Sequence, residues 1–249
     1  MTEAAGQAEL VRTIEDADVI TIVLDNAANS NRINSVAMHQ LIRGLQLARA
    51  SDCATLVVRA SGPDFTVGRD QKERAAGVTR EESLRLILEV NSLLRAFPGV
   101  SVCMVQGRAY GFGSGLALQC DITVAADDAE FGFDEVIHGL PPLVVAGYLS
   151  DYVAPKISGE LLLTGRTVPA LEALSLRMVN KVVRVSDLPV EAERMAGHLS
   201  SLDRGALRLI KQFISRMRAG LVREPESEGV RELARWLEAG RPAFPSVEP

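Results

Sequence analysis

Short runs of β-branched and aliphatic residues alternate, along the first half of the chain, with longer segments in which apolar positions recur every three or four residues. The short runs predict strands over residues 19–24, 55–60, 100–105 and 122–126, with a preceding hairpin arm near residues 10–14. The longer segments predict a helix from Ser35 onward, with Ser35 as its N-cap, and another over residues 81–97. Because strands and helices alternate, the pattern predicts an α/β fold with a largely parallel sheet.

Two further features of the pattern concern helix faces and domain organisation. In the helix over residues 81–97, one buried side is predicted to carry Leu84, Ile87, Leu88, Leu94 and Phe97. After Pro142 the pattern is mainly helical, with a short strand at 181–185 and helices predicted over residues 144–153, 157–163, 169–178, 189–199, 206–217 and 229–237. The chain therefore divides into a core over residues 1–190 and a C-terminal helical region over residues 191–249.

Charge and cysteine content narrow the class of protein. The chain has 249 residues, a net charge of −5 and a pI near 5.4, which argues against nucleic acid or an anionic membrane as partner. The N-terminus, MTEAAGQAEL, is acidic and has no apolar segment, so the sequence predicts no secretory signal and a cytoplasmic location. Cys53, Cys103 and Cys120 lack metal-type spacing and are predicted to be buried free thiols.

A glycine-rich turn follows the strand over residues 100–105. Gly107, Gly111, Gly113 and Gly115 allow tight backbone geometry and close approach of a ligand, and a helix that starts there directs N–H groups outward. The turn is therefore a candidate site for a phosphate, a carboxylate or an oxyanion. Downstream, in FGFDEVIHG, Glu135 is a candidate base, and an anion-stabilising turn followed by a base is what enolate chemistry needs.

Other interpretations of the turn are weaker but remain open from the residues alone. A dinucleotide-binding turn would need a glycine where Leu116 stands, and it normally opens the first βαβ unit. A serine nucleophile elbow at Ser114 would need glycines where Phe112 and Leu116 stand. A glycine cluster that merely packs a helix tightly, with no ligand, is the third interpretation.

The stretch VQGRAYGFGSGLALQCDITVAADDAEFGFDEVIHGLPP resembles the signature of the enoyl-CoA hydratase/isomerase (crotonase) superfamily, in which a glycine turn leads to L-A-x-x-C-D, A-x-F-G-x-x-E and G-x-x-P. Further parts of the signature stand in the same order at Asn31 and Asn34, at Phe65, Gly68 and Asp70, and in ALSLRMVNKVV. The resemblance covers roughly residues 10–245. It implies a crotonase-like spiral of ββα units with a C-terminal helical trimerisation region, assembled as a homo-trimer or hexamer.

The resemblance also implies an acyl-CoA thioester as substrate, with coenzyme A brought by the substrate and no separate cofactor. By position, the backbone N–H groups of Arg69 and Phe112 would form the oxyanion hole. Family hydratases generally carry two catalytic glutamates. The second matches Glu135, whereas the first falls on Gly115, so one acid is missing.

Substrate-binding positions follow from the same match, and they are Asn31, Gly68, Asp70, Lys72, Gly111, Gly113, His138 and Arg241. Lys72 and Arg241 match basic residues near the CoA phosphates. His138 is expected to be a packed or water-bonded histidine that can also tune Glu135, and a lone E-x-x-H offers too few ligands for a metal, so none is predicted. Tyr148 and Trp236 are candidates for the core or for an acyl pocket.

Four functions compete at this point. Hydration of an α,β-unsaturated acyl-CoA ranks first, because a single carboxylate can orient a water and return its proton. Double-bond isomerisation by Glu135 ranks second, and an aromatic enoyl-CoA hydratase/lyase, suggested by EVIHGLPP, ranks third. The competing class is an acyl-CoA-binding protein that has lost its activity.

Overall fold

The computed structural model describes residues 8–74 and 77–240. Its strands are β1 Val11–Asp16, β2 Val19–Leu24, β3 Thr55–Ala60, β4 Val100–Val105, β5 Arg108–Tyr110, β6 Ile122–Ala126, β7 Glu130–Gly132, β8 Val168–Pro169 and β9 Lys181–Val183. Its α-helices are α1 Ser35–Ala50, α2 Arg80–Ala96, α3 Phe112–Gln119, α4 Leu143–Ala146, α5 Pro155–Thr164, α6 Ala170–Ser175, α7 Leu188–Ser200, α8 Arg204–Arg218 and α9 Pro225–Glu238. The α/β class expected from the sequence is confirmed.

The strands form two sheets that follow the chain in successive turns. The larger sheet has the order β1-β2-β3-β4-β6-β9, in which only the β1/β2 hairpin is antiparallel. The smaller sheet has the order β5-β7-β8. Because β4 and β6 enter the larger sheet while the strands that follow them, β5 and β7, enter the smaller one, these two turns contribute one strand to each sheet. This is the predicted ββα spiral.

The helices cover both faces of the larger sheet. Side chains such as Leu56 and Val58 on β3 point to the face that α1 and α2 cover. Their neighbour Val57 points to the opposite face, where it meets α7 through a second apolar cluster that includes Leu199. The buried strands are apolar on both faces for this reason, as parallel strands require.

Several predicted elements differ from the structure. Helix α1 begins at Ser35, but its N-cap is Asn34, whose side chain accepts from Ala37 N–H. In α2 the predicted buried face is only partly correct, because Leu84 and Leu88 are 43% and 49% exposed. Ile87 is partly buried against the core, and the C-terminal half of α2 buries Leu94.

The predicted helix over residues 144–153 is broken. Helix α4 ends at Ala146, and a 3₁₀ turn over Leu149–Asp151 follows. Gly147 stands at the break, and the next residue, Tyr148, leaves helical geometry with φ −143° and ψ −9°. The break gives Tyr148 an orientation that a continuous helix would not have given it.

The predicted domain boundary after residue 190 falls within α7. Helix α7 packs on the larger sheet, and α8 and α9 follow it in the chain. These two helices expose apolar side chains, namely Ile210, Ile214, Met217, Val230, Leu233 and Leu237. Lys211 fastens α8 to the core, since its Nζ lies 2.7 Å from Asp121 Oδ2.

The structure also bears on the state of the cysteines and on membrane-spanning helices. The three cysteines are buried and free, as predicted. Within the described residues, no helix combines the length and the hydropathy that crossing a bilayer requires.

Candidate active site

The start of α3 forms one wall of the site. The chain enters α3 through Gly111, whose φ of +51° lies in the region that side chains other than glycine disfavour. Gly111 N–H donates to Gly132 O at 2.8 Å and so is occupied. Phe112 is the first helical residue, and the first N–H groups of a helix have no partner within it. The Phe112 N–H is therefore available for a ligand.

A loop between β3 and α2 supplies the second donor. Asp70 N–H donates to Ile33 O, and Gly68 O accepts from Ile33 N–H, both at 2.9 Å. Because successive N–H groups of an extended chain point to opposite sides, the Arg69 N–H points away from Ile33. The arginine side chain runs toward α2, where its Nη2 donates to Ser83 Oγ at 2.7 Å.

Glycine 68 brings this loop against α3. Its φ is +86°, and a Cβ placed there would lie 2.8 Å from Tyr110 O and 3.7 Å from Phe112 N. A side chain at this position would therefore separate the two segments. With glycine, the loop that carries the Arg69 N–H lies directly beside the Phe112 N–H.

Glu135 faces the same turn from the opposite direction. It lies in a 3₁₀ helix, Asp134–His138, and its Oε1 is 2.9 Å from the position that a Cβ on Gly111 would take. Its Oε2 is buried and has no hydrogen-bond partner among the described residues. Burial raises the pKa of the Glu135 carboxyl, and the nearby charge of Asp134 raises it further. A carboxylate in this state is poised to accept a proton.

Tyr148 lies against α3 about one helical turn beyond Glu135, because it faces Gly115 whereas Glu135 faces Gly111. A Cβ on Gly115 would lie 2.5 Å from the Tyr148 hydroxyl oxygen, so the hydroxyl occupies the space that a side chain at position 115 would enter. Burial raises the pKa of the Tyr148 phenol well above its usual range, and the charge of Glu135 adds to this effect. The sequence carries no signal for this contact, because the two residues meet only through the break after α4.

Asn31 and Gly113 lie at the site but serve its architecture. The Asn31 amide donates to Ser61 O and Asp64 O, both at 2.8 Å, and accepts from Asn26 N–H at 2.7 Å. These bonds occupy the side chain, so Asn31 holds the loops in place rather than offering a free group, which differs from its predicted substrate contact. A Cβ on Gly113 would lie 2.6 Å from Thr66 Cγ2, so its small size lets α3 pack on the first loop.

The predicted polar contacts lie around the rim. Asp70 Oδ1 accepts from Lys72 N–H at 2.9 Å, which shapes the loop after Arg69, and the Lys72 side chain is exposed. His138 is exposed rather than packed, and its Nε2 lies 3.6 Å from Asp134 Oδ2. Its charge lowers the pKa of Glu135, but this effect is smaller than that of burial. Arg241 lies outside the described residues.

The serine-nucleophile interpretation of the glycine turn finds no support in the geometry. Ser114 is buried, donates to Ala109 O at 2.6 Å and accepts from Gly132 N–H at 3.0 Å, so its hydroxyl is not placed as a nucleophile. Among residues 8–74 and 77–240, no three metal-ligating side chains of the His, Cys, Asp and Glu types gather in one place.

Comparisons with known proteins identify the family of the chain. The family model described as enoyl-CoA hydratase/isomerase matches residues 15–231. The chain is 34% identical over 211 residues to "Enoyl-CoA hydratase domain-containing protein 3, mitochondrial" of Rattus norvegicus, covering 83% of this chain and 70% of that protein. It is 30% identical over 210 residues to "Probable enoyl-CoA hydratase echA8" of Mycobacterium tuberculosis, covering 84% and 82%.

Among solved structures, an enoyl-CoA hydratase from Shewanella pealeana superposes with a TM-score of 0.81 at 25% identity, covering 91% of this chain and 87% of that one. The chain therefore belongs to the enoyl-CoA hydratase/isomerase family and has its fold. Members of this family act on acyl-CoA thioesters.

Proposed function

We propose that the protein is an enoyl-CoA hydratase that adds water to an α,β-unsaturated acyl-CoA thioester. The observation that carries this proposal is the placement of the Glu135 carboxylate, buried and with an unpartnered Oε2, against the glycine that precedes the Phe112 N–H. A base and an oxyanion donor thus lie on either side of the same residue, Gly111. Proton transfer next to a thioester carbonyl uses a base and an oxyanion donor in one site.

The chemistry assigns one role to each group. The thioester oxygen accepts hydrogen bonds from the N–H groups of Arg69 and Phe112. Glu135 takes a proton from water as the water oxygen attacks Cβ, and the electrons of the double bond move to the thioester oxygen as an enolate. The two N–H groups stabilise that negative charge, and Glu135 then returns its proton to Cα. Atoms and charges balance without a cofactor, so none is proposed beyond the coenzyme A of the substrate.

Isomerisation is the second candidate, and the absence of a carboxylate at Gly115 favours it. A proton shuttle between two carbons needs one carboxylate and the same oxyanion hole, but no water. The two reactions differ in whether the product gains the mass of water. The structure of the site is compatible with either.

The remaining proposals concern the oligomeric state of the enzyme, its contact with CoA, and its partners and location. The exposed apolar side chains of α8 and α9 support a homo-trimer or hexamer, whose mass light scattering would measure. Lys72 is proposed to contact the CoA phosphates from its exposed position after Arg69. The acidic composition supports an enzyme without nucleic-acid or membrane partners. A cytoplasmic location is proposed with it, because buried free cysteines suit a reducing compartment.

The experiment is mass spectrometry on a panel of straight-chain, branched and aromatic enoyl-CoA substrates in deuterated water. Wild type is expected to add one water to at least one substrate, and Glu135→Gln is expected to bind the same thioester without converting it. Glu130→Gln is the matched control, because Glu130 is an exposed glutamate on β7 whose carboxylate accepts from Tyr110 Oη at 3.0 Å. Bond migration without water would establish the isomerase instead, and thioester binding without any turnover would favour an inactive binder.

A further inference from the structure

The face of α3 that bounds the site carries a row of residues four apart. Gly111, Gly115 and Gln119 follow one another along this helix, and residues at this spacing share a face, with Cβ positions roughly 5–6 Å apart. Gly115 N–H donates to Gly111 O at 3.1 Å, which closes the first turn. The side chains that face Gly111 and Gly115 therefore lie on the same side of α3, about one turn apart.

Each of the two glycines meets a different polar side chain. The position of a Gly111 Cβ lies 2.9 Å from Glu135 Oε1, and the position of a Gly115 Cβ lies 2.5 Å from Tyr148 Oη. Among described residues outside the backbone of α3 and the chain neighbours of Gly115, only Tyr148 has atoms within 4 Å of that second position. The hydroxyl of Tyr148, which is 33 positions later in the sequence, therefore occupies the space that a side chain at position 115 would fill.

Neighbouring groups hold the Tyr148 ring in this position. The Tyr152 ring packs against it edge-on, with ring centroids 6.2 Å apart and an interplanar angle of 84°. Tyr152 is itself anchored to α3, because its hydroxyl donates to Gln119 Oε1 at 3.3 Å. Arg95 Nη1 donates to the same oxygen at 3.0 Å. The Tyr148 ring is therefore held by a cluster that spans α2, α3 and the segment after α4, and the Gln119 side chain of this cluster also hydrogen-bonds the Tyr148 hydroxyl.

A phenol in this position differs chemically from a second carboxylate. With its pKa raised by burial, Tyr148 stays neutral, so it is neither a base nor a source of charge. It offers one O–H donor and oxygen lone pairs as acceptors. A water between it and Glu135 would be held by two hydrogen bonds, and only the carboxylate would take a proton from it.

We propose that Tyr148 is a positioning residue whose hydroxyl replaces the side chain that Gly115 lacks and holds the attacking water against Glu135. This inference rests on the proposed function. Tyr148 transfers no proton: the water proton passes to Glu135, the water oxygen bonds to Cβ, and the enolate is protonated at Cα by the same carboxylate. The site then hydrates with one glutamate and one tyrosine.

The test is a double-mutant cycle on kcat and KM, using an enoyl-CoA that the wild type hydrates. Tyr148→Phe keeps the ring and removes the hydroxyl, so kcat is expected to fall about tenfold or more while KM stays nearly unchanged. Tyr110→Phe is the matched control, since it removes a tyrosine hydroxyl that donates to the exposed Glu130 at 3.0 Å, outside the cluster around Tyr148, and its kcat should stay close to that of wild type.

Gly115→Ala completes the cycle. Its new methyl group displaces the Tyr148 hydroxyl in the wild-type background, so kcat should fall as in Tyr148→Phe. In the Tyr148→Phe background the nearest atom to that methyl is the ring Cζ at 3.9 Å, which is ordinary contact, so the double variant should be no slower than Tyr148→Phe alone. Additive losses, or full kcat in Tyr148→Phe, would overturn the inference.

Glu135→Gln, assayed alongside, separates this inference from the proposed function. If Glu135→Gln is inactive and Tyr148→Phe is unimpaired, only the role of Tyr148 is wrong. If Glu135→Gln hydrates as fast as wild type, the proposed function is wrong whatever Tyr148 does. Absence of hydration by wild type on every substrate of the panel would contradict both.

Discussion

Glu135 fills the space beside Gly111 in the candidate site, with its Oε1 2.9 Å from the position that a Cβ on Gly111 would take. Two separate requirements call for a glycine at position 111. Its φ of +51° allows the chain to enter α3 with the Phe112 N–H exposed, and its missing side chain leaves room for the carboxylate. A single residue thus sets the spacing between the candidate base and the candidate oxyanion donor.

Gly111→Ala should therefore lower kcat by roughly tenfold to a hundredfold, because a methyl group would push the carboxylate away from the reacting carbons. The backbone strain alone is expected to reduce the free energy of unfolding by about 1–3 kcal/mol. Gly220→Ala controls for this strain, since its φ is +67° and its Cβ would meet nothing within 4 Å. Equal kcat values in the two variants would mean that the contact with Glu135 is irrelevant to turnover.

Phe112→Pro tests the oxyanion donor directly. Proline is tolerated at the first position of a helix but has no N–H, so kcat should fall about a hundredfold or more, as when one oxyanion donor is lost. Phe112→Ala keeps the N–H and loses only the ring, and it should keep most of the activity. Circular dichroism would confirm that both variants are folded. A folded proline variant with the rate of the alanine variant would show that the assigned donor is wrong.

The pH dependence of the reaction should report the environment of Glu135. Burial raises its pKa above the usual 4.5 of a glutamate, and the base acts only when ionised. We therefore expect kcat/KM to fall as the pH is lowered through a midpoint above 4.5, measured with the pH-rate profile of wild type. An acid limb at or below 4.5 would be inconsistent with a desolvated Glu135 acting as the base.

Stability at acid pH should depend on a different carboxylate. Asp64, 7% exposed, accepts from Arg108 Nε at 2.8 Å and from Arg108 Nη2 at 2.6 Å. These bonds lower the pKa of Asp64 from 3.8 to about 2. Because the folded pKa is lowered, the stabilisation is complete above the unfolded value near 4 and is lost as the pH falls toward 2.

Asp64→Asn should accordingly reduce the free energy of unfolding by about 1–2 kcal/mol at pH 7, and the difference from wild type should shrink between pH 4 and pH 2. Urea melts across this pH range would measure it. Glu81→Gln is the control, since Glu81 forms an exposed pair with Arg85 and should change stability by less than about 0.5 kcal/mol. A pH-independent difference for Asp64→Asn would rule out the ion pair as its cause.

The sequence predicted the elements that depend on local pattern. The β-branched runs became β2, β3, β4 and β6, and the glycine turn leads into α3 as expected. Motif resemblance then selected Glu135 and the two N–H groups, and their catalytic roles stay predictions. The strands and helices follow from residues that are neighbours in sequence, whereas the site residues were selected by the order of their motifs.

What the sequence did not predict depends on tertiary placement. Leu84 and Leu88 fit a helical apolar stripe, yet the stripe extends past the core that α2 covers. Asn31 matched a motif for substrate binding, but its amide is used to tie loops together. The gap at Gly115 was visible as a missing acid, whereas its occupant, Tyr148, was not, because no local pattern links residues 115 and 148.

Deuterium incorporation at Cα of the acyl-CoA tests the central claim, that Glu135 moves a proton to and from an enolate held in this site, most directly. Wild type and Glu130→Gln are expected to incorporate deuterium from deuterated water, and Glu135→Gln to incorporate none while still binding the thioester. Glu135→Gln should also be at least as heat-stable as wild type, since it removes a buried charge whose desolvation opposes folding. Incorporation by Glu135→Gln at the wild-type rate would contradict the account.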